Sequence, residues 1–402
     1  MTSRAVMLSF VCLLALSGMS FAQVVLTPEQ QLGKDLFWDQ NLSVNKNQSC
    51  AVCHAPGVGW TGPDQTINQH GAVYEGSIAG RFGNRKPPAS AYAPFSSIFY
   101  FSRKAGGMFI GGNFWDGRAT GEKLGNPAAD QAQGPFLNPL EQALPDASAV
   151  VAGVCVTGSY VDLFSQVCDQ NPCAPTDINA AFDCIGFAIA AYEASREVSA
   201  FTSKFDAYLA GQVKLTTQER QGLNLFNGKA KCALCHVDTG KAPLFTDFTY
   251  DNLGVPRNPE NPFYNETTFN PLGAAWIDEG LGGFLQTRPD YAGYARRNMG
   301  KFKVPTLRNV DKRPSPDFVK AYSHNGFFKS LESIVHFYNT RDVLGTCPEG
   351  STEAYALLNQ CWPLPELSLN MNTKELGNLR LTSDEEAAIV GFLKTLSDGY
   401  VP

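Results

Sequence analysis

Two short segments carry the chemistry that sets the problem: "SCAVCH", ending at His54, and "KCALCH", ending at His236. Each places two thiols three residues apart, with an imidazole directly after the second. A redox C-x-x-C pair has no need of that histidine. A structural zinc site needs four ligands, and the other histidines, His70, His324 and His336, form no zinc-like pair. Attachment of a c-type haem uses all three residues. The thiols of Cys50 and Cys53, or of Cys232 and Cys235, add across the porphyrin vinyl groups, and His54 or His236 becomes the proximal iron ligand. Two such motifs in one chain predict two covalently bound haems c.

The elements that position these motifs repeat. "LTPEQQLGKDLFWDQNLSVNKNQSCAVCH" leads into the first and "LTTQERQGLNLFNGKAKCALCH" into the second. Thr27-Pro28 and Thr216 read as helix N-caps. Leu32, Leu36 and Phe37 make one apolar stripe, and Leu223, Leu225 and Phe226 a looser one. The expected fold is therefore all-α: two cytochrome c-like domains, residues 23–205 and 206–402, each a helix leading into a haem-binding turn. Gly-, Pro- and Asn-rich stretches such as 240–300 read as long loops around the haems.

The chain opens with Arg4, an apolar run from Ala5 to about Leu16, and the small-residue site Ser20-Phe21-Ala22. This reads as a secretory signal over residues 1–22, and it predicts a periplasmic protein. The apolar run is short for a span of ~20 residues, and no later segment is apolar enough to cross a bilayer. A net charge of −6 without a basic block argues against nucleic acid as a partner. Of eleven cysteines, Cys12 leaves with the signal and four belong to the haem motifs. The even remainder predicts disulfides in an exported chain. Cys347 with Cys361 is the simplest local pair, while Cys155, Cys168, Cys173 and Cys184 allow three pairings.

With these motifs in place, "LFWDQNLS", "FWDGRATG", "GPFLNPLE", "KFKVPTLRNV" and "AYSHNGFFKSLESIVHFYN" make the chain resemble the bacterial di-haem cytochrome c peroxidase/MauG family along nearly its whole mature length. The resemblance implies a peroxide-binding N-terminal haem, an electron-handling C-terminal haem, and a tryptophan and a calcium ion between them. Trp115 matches the tryptophan. Glu141 matches a glutamate in the distal pocket, and Pro135 a proline lining it. Locally, Asn138, Pro139 and Glu141 also read as the start of a helix with a capping box. His70 lies where a loop histidine closes the peroxide haem's sixth position in some relatives, but its surroundings match poorly. An ordinary loop histidine is the competing reading.

At the second haem, peroxidases place a methionine fourteen residues after an H-x-G histidine. Counting from His324 gives Tyr338, as in MauG-type proteins. Leu331, Ile334, Val335 and Tyr338 share one helix face, and His336 points away from it. Met299 is the competing ligand. The resemblance assigns calcium to the Asn84 side chain and the carbonyls of Val319 and Ala321, hard oxygen donors of the kind calcium takes. The expected function is a di-haem oxidoreductase that takes hydrogen peroxide. It would either oxidise a protein partner, as MauG-type enzymes do, or accept electrons from a small periplasmic redox protein. A plain electron-transfer cytochrome is the alternative.

Overall fold

The computed structural model describes residues 24–401, so the expected signal segment lies outside the described residues. The fold is mostly helical. The Pro28–Trp38 helix starts where the sequence places it: Thr27 caps it and forms a reciprocal box with Gln30. The Thr217–Asn227 helix is capped in the same way by Thr216 and Glu219. Leu32, Leu36 and Phe37 are fully buried on the first helix, and Gly222 and Phe226 are buried on the second.

Each of these helices crosses a later one, and both crossings use a glycine. Gly33 lies against the Ile178–Ala194 helix so closely that a Cβ there would stand 1.8 Å from the Ala188 carbonyl oxygen. Gly222 lies against the Ser383–Lys394 helix, where a Cβ would stand 1.9 Å from the Ala388 carbonyl oxygen. Only a residue without a side chain permits two backbones to approach this far. The leader-helix repeat in the sequence is thus also a repeat of packing. Its buried residues fall mainly into two clusters, one from Leu32 to Val198 and one from Phe205 to Leu396.

Three disulfides tie the helices. Cys347–Cys361 encloses the Glu353–Asn359 helix, as the local spacing predicts. The other four cysteines choose the crossed pairing, Cys155–Cys173 and Cys168–Cys184. These bridges lock the Ala147–Thr157 and Val161–Cys168 helices to the segment around the start of the Ile178–Ala194 helix.

The expectation of an all-α fold misses three small two-stranded sheets. Tyr100–Ser102 pairs with Met108–Ile110, and Tyr250–Asp251 pairs with Phe302–Lys303, both antiparallel. Gly345–Thr346 pairs in parallel with Cys361–Trp362 beside the third disulfide. These ladders give the backbone groups of long loops their partners. At two or three residues each, they are too short to leave an alternating pattern in the sequence.

Candidate functional site: two cavities with a shared wall

The first cavity is lined by Cys50, Cys53, His54, Trp115, Pro135 and Glu141, so six residues from three separate stretches of sequence converge there. Cys50–Cys53 forms a single helical turn, and His54 follows it with its amide bonded to the Cys50 carbonyl. Nδ1–H of His54 donates to the Trp60 carbonyl at 3.2 Å. That bond fixes the tautomer and leaves the Nε2 lone pair for a metal. Burial pulls the imidazole down to about 4, so it stays neutral.

Glu141 is half-buried. Burial raises its carboxyl above the usual carboxylate range, against the opposing pull of Arg118 and a hydrogen bond from Asn138. Asn138 Nδ2 donates to Glu141 Oε1 at 2.8 Å. The expected helix start at Asn138 is not there. Asn138 instead closes the Pro127–Leu137 helix, and residues 139–142 form turns. The Asn138 carbonyl accepts from the Glu141 and Ala143 amides, so the turn itself carries the glutamate. Pro135 sits inside that helix, two residues before its end.

The second cavity is lined by Cys232, Cys235, His236 and Tyr338. His236 is buried, its Nδ1–H donates to the Phe245 carbonyl at 2.9 Å, and burial again pulls it down to about 4. The Leu331–Thr340 helix presents Leu331, Ile334, Val335 and Tyr338 to this cavity. Burial pushes the Tyr338 phenol well above its ordinary value. His336 leaves that face and pairs with Glu386 at 3.1 Å. Met299 is outside the cavity lining; it packs against Gly282, with its sulfur 3.7 Å from Gln286 Nε2. His70 is exposed, pairs with Glu260 at 2.9 Å, and is absent from the first cavity's lining.

Trp115, Lys86 and Pro88 line both cavities. The indole N–H donates to the Lys86 carbonyl at 2.8 Å, and the Trp115 carbonyl accepts from the Lys303 amide at 2.8 Å. Beside this wall, Arg85 bridges Asp116 and Asp278, both at 2.6 Å and all largely buried. His324 stacks on Phe302 with ring centroids 3.5 Å apart and lies 3.9 Å from Glu366.

The donor set fits haem c at both places. Cys50, Cys53, Cys232 and Cys235 are free thiols, whereas the six other described cysteines are paired. Each motif histidine keeps one nitrogen unoccupied. The three expected calcium donors are oxygens of the kind that ion takes. The Val319 carbonyl also accepts from Asn68 Nδ2 at 3.3 Å, and the backbone carbonyl of Asn84, not its donor side chain, accepts from Asn261 Nδ2 at 3.0 Å. The nearby Lys86 and Lys320 are buried, and burial lowers both ammonium groups, Lys86 to about 7.

Sequence reasoning passed over Lys86 and Glu193. Glu193 lies on the Ile178–Ala194 helix and lines the first cavity with Oε2 unpartnered; burial lifts its carboxyl to about 8. Neither stands in a motif with a chemical signature, so only the fold could reveal them.

Comparison with known proteins shows which ones this chain resembles. Residues 27–214 match the family model described as di-haem cytochrome c peroxidase. The methylamine utilization protein MauG of Paracoccus denitrificans is 36% identical, covering 91% of this chain and 88% of that protein. The cytochrome-c peroxidase IdrP1 of Denitromonas iodatirespirans is 27% identical, covering 91% and 80%. Among solved structures, the diheme peroxidase BthA from Burkholderia thailandensis superposes with a TM-score of 0.73 at 28% identity, covering 94% of this chain and 88% of that one.

Proposed function

The chain belongs to the di-haem cytochrome c peroxidase and MauG family of peroxide-using oxidoreductases, and from that premise we propose that it takes hydrogen peroxide at the His54 cavity and oxidises a partner protein through the His236 cavity. The observation that carries this reading is the placement of three side chains: Glu141 on the first cavity, Tyr338 on the second, and Trp115 in the wall of both. When bound, the haems supply iron centres that react with peroxide and store oxidising equivalents.

The residues do the rest. Cys50 and Cys53, with Cys232 and Cys235, anchor the two groups, while His54 and His236 offer neutral Nε2 atoms. Glu141 holds a proton at a higher pH than an exposed carboxyl does. Peroxide cleavage requires a proton to move from the inner to the outer oxygen, and a carboxyl that can accept and return one serves that step. Pro135 and Phe114 restrict the space beside it. Trp115 offers an oxidisable ring between the cavities. Burial keeps the Tyr338 phenol protonated, and it would release that proton to solvent only where a bound haem iron took the phenolate oxygen. An anionic oxygen ligand favours the ferric and higher states. Tyr338 therefore favours oxidation of a protein substrate over electron uptake from a small redox protein.

In this reading residues 23–205 and 206–402 are the two haem-bearing halves, and the chain works in the periplasm. Three disulfides support an oxidising compartment. Among the described residues, no helix is long and apolar enough to cross a membrane. Calcium at the Asn84 side chain and the Val319 and Ala321 carbonyls, hard oxygen donors, belongs to the same reading.

Tyr338→Phe tests the reading. Intact mass should first confirm two haems. The wild-type ferric spectrum should combine one high-spin haem with a low-spin haem that lacks a methionine ligand, and the substitution should change the second component. An untouched spectrum, together with an unchanged response to peroxide, would remove Tyr338 from the site and with it the case for the protein-oxidising outcome.

A further inference from the structure

A run of aromatic rings leads outward from the back of the second cavity. Tyr250 is buried one ladder step behind it: its chain neighbour Asp251 and its strand partner Lys303 both line the cavity. On its other side the Tyr250 ring packs 6.0 Å from Phe99, centroid to centroid, and Phe99 packs 6.1 Å from Tyr291. Phe109 stacks on Phe99 at 5.1 Å and reaches Tyr291 at 5.1 Å and Tyr294 at 5.7 Å. Tyr291 and Tyr294 lie 6.5 Å apart. Every step is a ring contact of the ordinary kind. Phe99, Phe109 and Tyr250 are all buried, so no solvent interrupts the run.

The two ends differ in what can become of a proton. A tyrosine that loses an electron becomes strongly acidic and is trapped as oxidised only when its phenolic proton also leaves. The Tyr250 hydroxyl donates to the Gly111 carbonyl at 2.5 Å, an acceptor that cannot take the proton away. Tyr291 and Tyr294 are half-buried and reach solvent, which can. A guanidinium stands over each ring, Arg288 at 5.2 Å from Tyr291 and Arg297 at 4.2 Å from Tyr294. A cation on its face opposes positive charge on the ring, which favours loss of the proton with the electron. Phenylalanine is much harder to oxidise than tyrosine, so Phe99 and Phe109 serve as packed bridges.

We propose that Tyr291 and Tyr294 are the surface end of an electron path to the second cavity, and that they are oxidised when peroxide arrives without a partner protein. The electrons and protons balance. Hydrogen peroxide takes up two electrons and two protons and leaves as two waters. Each tyrosine sends one electron inward along the rings and releases one proton to solvent, so two phenoxyl radicals remain. The inference rests on the two-haem, peroxide-using reading, and the two fail differently: the spectral response to peroxide reports the haems, whereas labelled peptides report the path.

Ferric holoprotein should be mixed with one equivalent of hydrogen peroxide and a nitroso spin trap, with no partner protein, and its peptides mapped by mass spectrometry. Adducts should fall on Tyr291 and Tyr294. Tyr100 and Tyr355 are the internal controls: at 44% and 42% exposed they are open to an oxidant arriving from solution, yet neither belongs to the path. Adducts chiefly on those two, or none on Tyr291 and Tyr294 in a protein whose spectrum responds to peroxide, would overturn the proposal. Replacing Tyr291 and Tyr294 together with phenylalanine should abolish the adducts and slow the return of the peroxide-treated spectrum to its resting form several-fold; an unchanged return would also overturn it. Phe99→Leu removes the ring that joins Tyr250 to the outer tyrosines and should lower the adduct yield; an undiminished yield would refute the path. Should Phe99→Leu fail to fold, the wild-type peptide map decides alone.

Discussion

Adding one methyl group at Gly222 tests whether the helix crossing, and not helix propensity, governs the second half of the fold. The alanine Cβ would lie 1.9 Å from the Ala388 carbonyl oxygen, 2.6 Å from its carbon and 2.8 Å from Phe392 Cβ. Ordinary contacts sit at about 3.5–4 Å, so the helices must part by roughly 1.5 Å. The obstructing atoms are largely backbone and have no rotamer to escape into. Overpacking of this kind typically costs about 1–3 kcal/mol. Intrinsic propensity pulls the other way, since alanine is better than glycine inside a helix by about 1 kcal/mol.

The clash should win, with a net loss of about 1–3 kcal/mol in urea denaturation of the holoprotein. Gly391→Ala is the matched control on the partner helix. Its added Cβ meets nothing closer than Gln218 at 3.7 Å, so it should be neutral or stabilising by up to about 1 kcal/mol. Phe226, Ile389 and Leu393 line the second cavity, so the parting should also broaden the spectrum of the second haem. A Gly222→Ala protein as stable as wild type, or more so, refutes the packing argument.

Three further outcomes are open to measurement. Glu141→Gln should keep both haems but slow the stopped-flow reaction with peroxide by about 10²–10⁴-fold, the usual contribution of a positioned acid–base group; an equal rate would leave Asn138 and Glu141 only a turn-forming role. Glu193 binds its proton more tightly in the folded chain, with its carboxyl lifted from an ordinary 4.5 to about 8. Its contribution to stability should be present below about pH 4.5 and lost as pH rises towards 8, so Glu193→Gln should flatten that part of the stability–pH curve; parallel curves would exclude it as the source. Replacing Cys347 and Cys361 together with serine should cost ~2–4 kcal/mol, read as a lower denaturation midpoint. Recovery of free thiols at both positions in the wild type would contradict the bridge.

What the sequence made legible was local. The haem motifs, the caps at Thr27 and Thr216 and the Tyr338 face are all set within one or two helical turns, where spacing alone decides which residues meet. The glycines of the leader repeat were visible, but their partners Ala188 and Ala388 lie far along the chain, and no local pattern points to them. The crossed disulfides stayed hidden because four nearby cysteines allow three pairings, while the burial of Lys86 and Glu193 depends on segments distant in sequence. Asn138 misled because an Asn-Pro-x-Glu run suits a helix start, yet here the preceding helix needed a terminator and took the asparagine. His70 stands as the ordinary loop histidine its poorly matching surroundings suggested, at the surface beside Glu260, which is distant in sequence.

The crossed bridges have a consequence for how such a chain is made. Threaded N-terminus first into an oxidising compartment, it would present Cys155 with Cys168 before Cys173 or Cys184, the native partners, had emerged. The first bridge to form is then a wrong one, and only thiolate attack on it can release the right pair. Cys50 and Cys53 emerge earlier still and are close enough to oxidise each other, yet they must remain thiols until the porphyrin arrives. Yield in a foreign host should therefore depend on two opposed activities in one space, an isomerase that reshuffles the later cysteines and a reductant that keeps the earlier ones open.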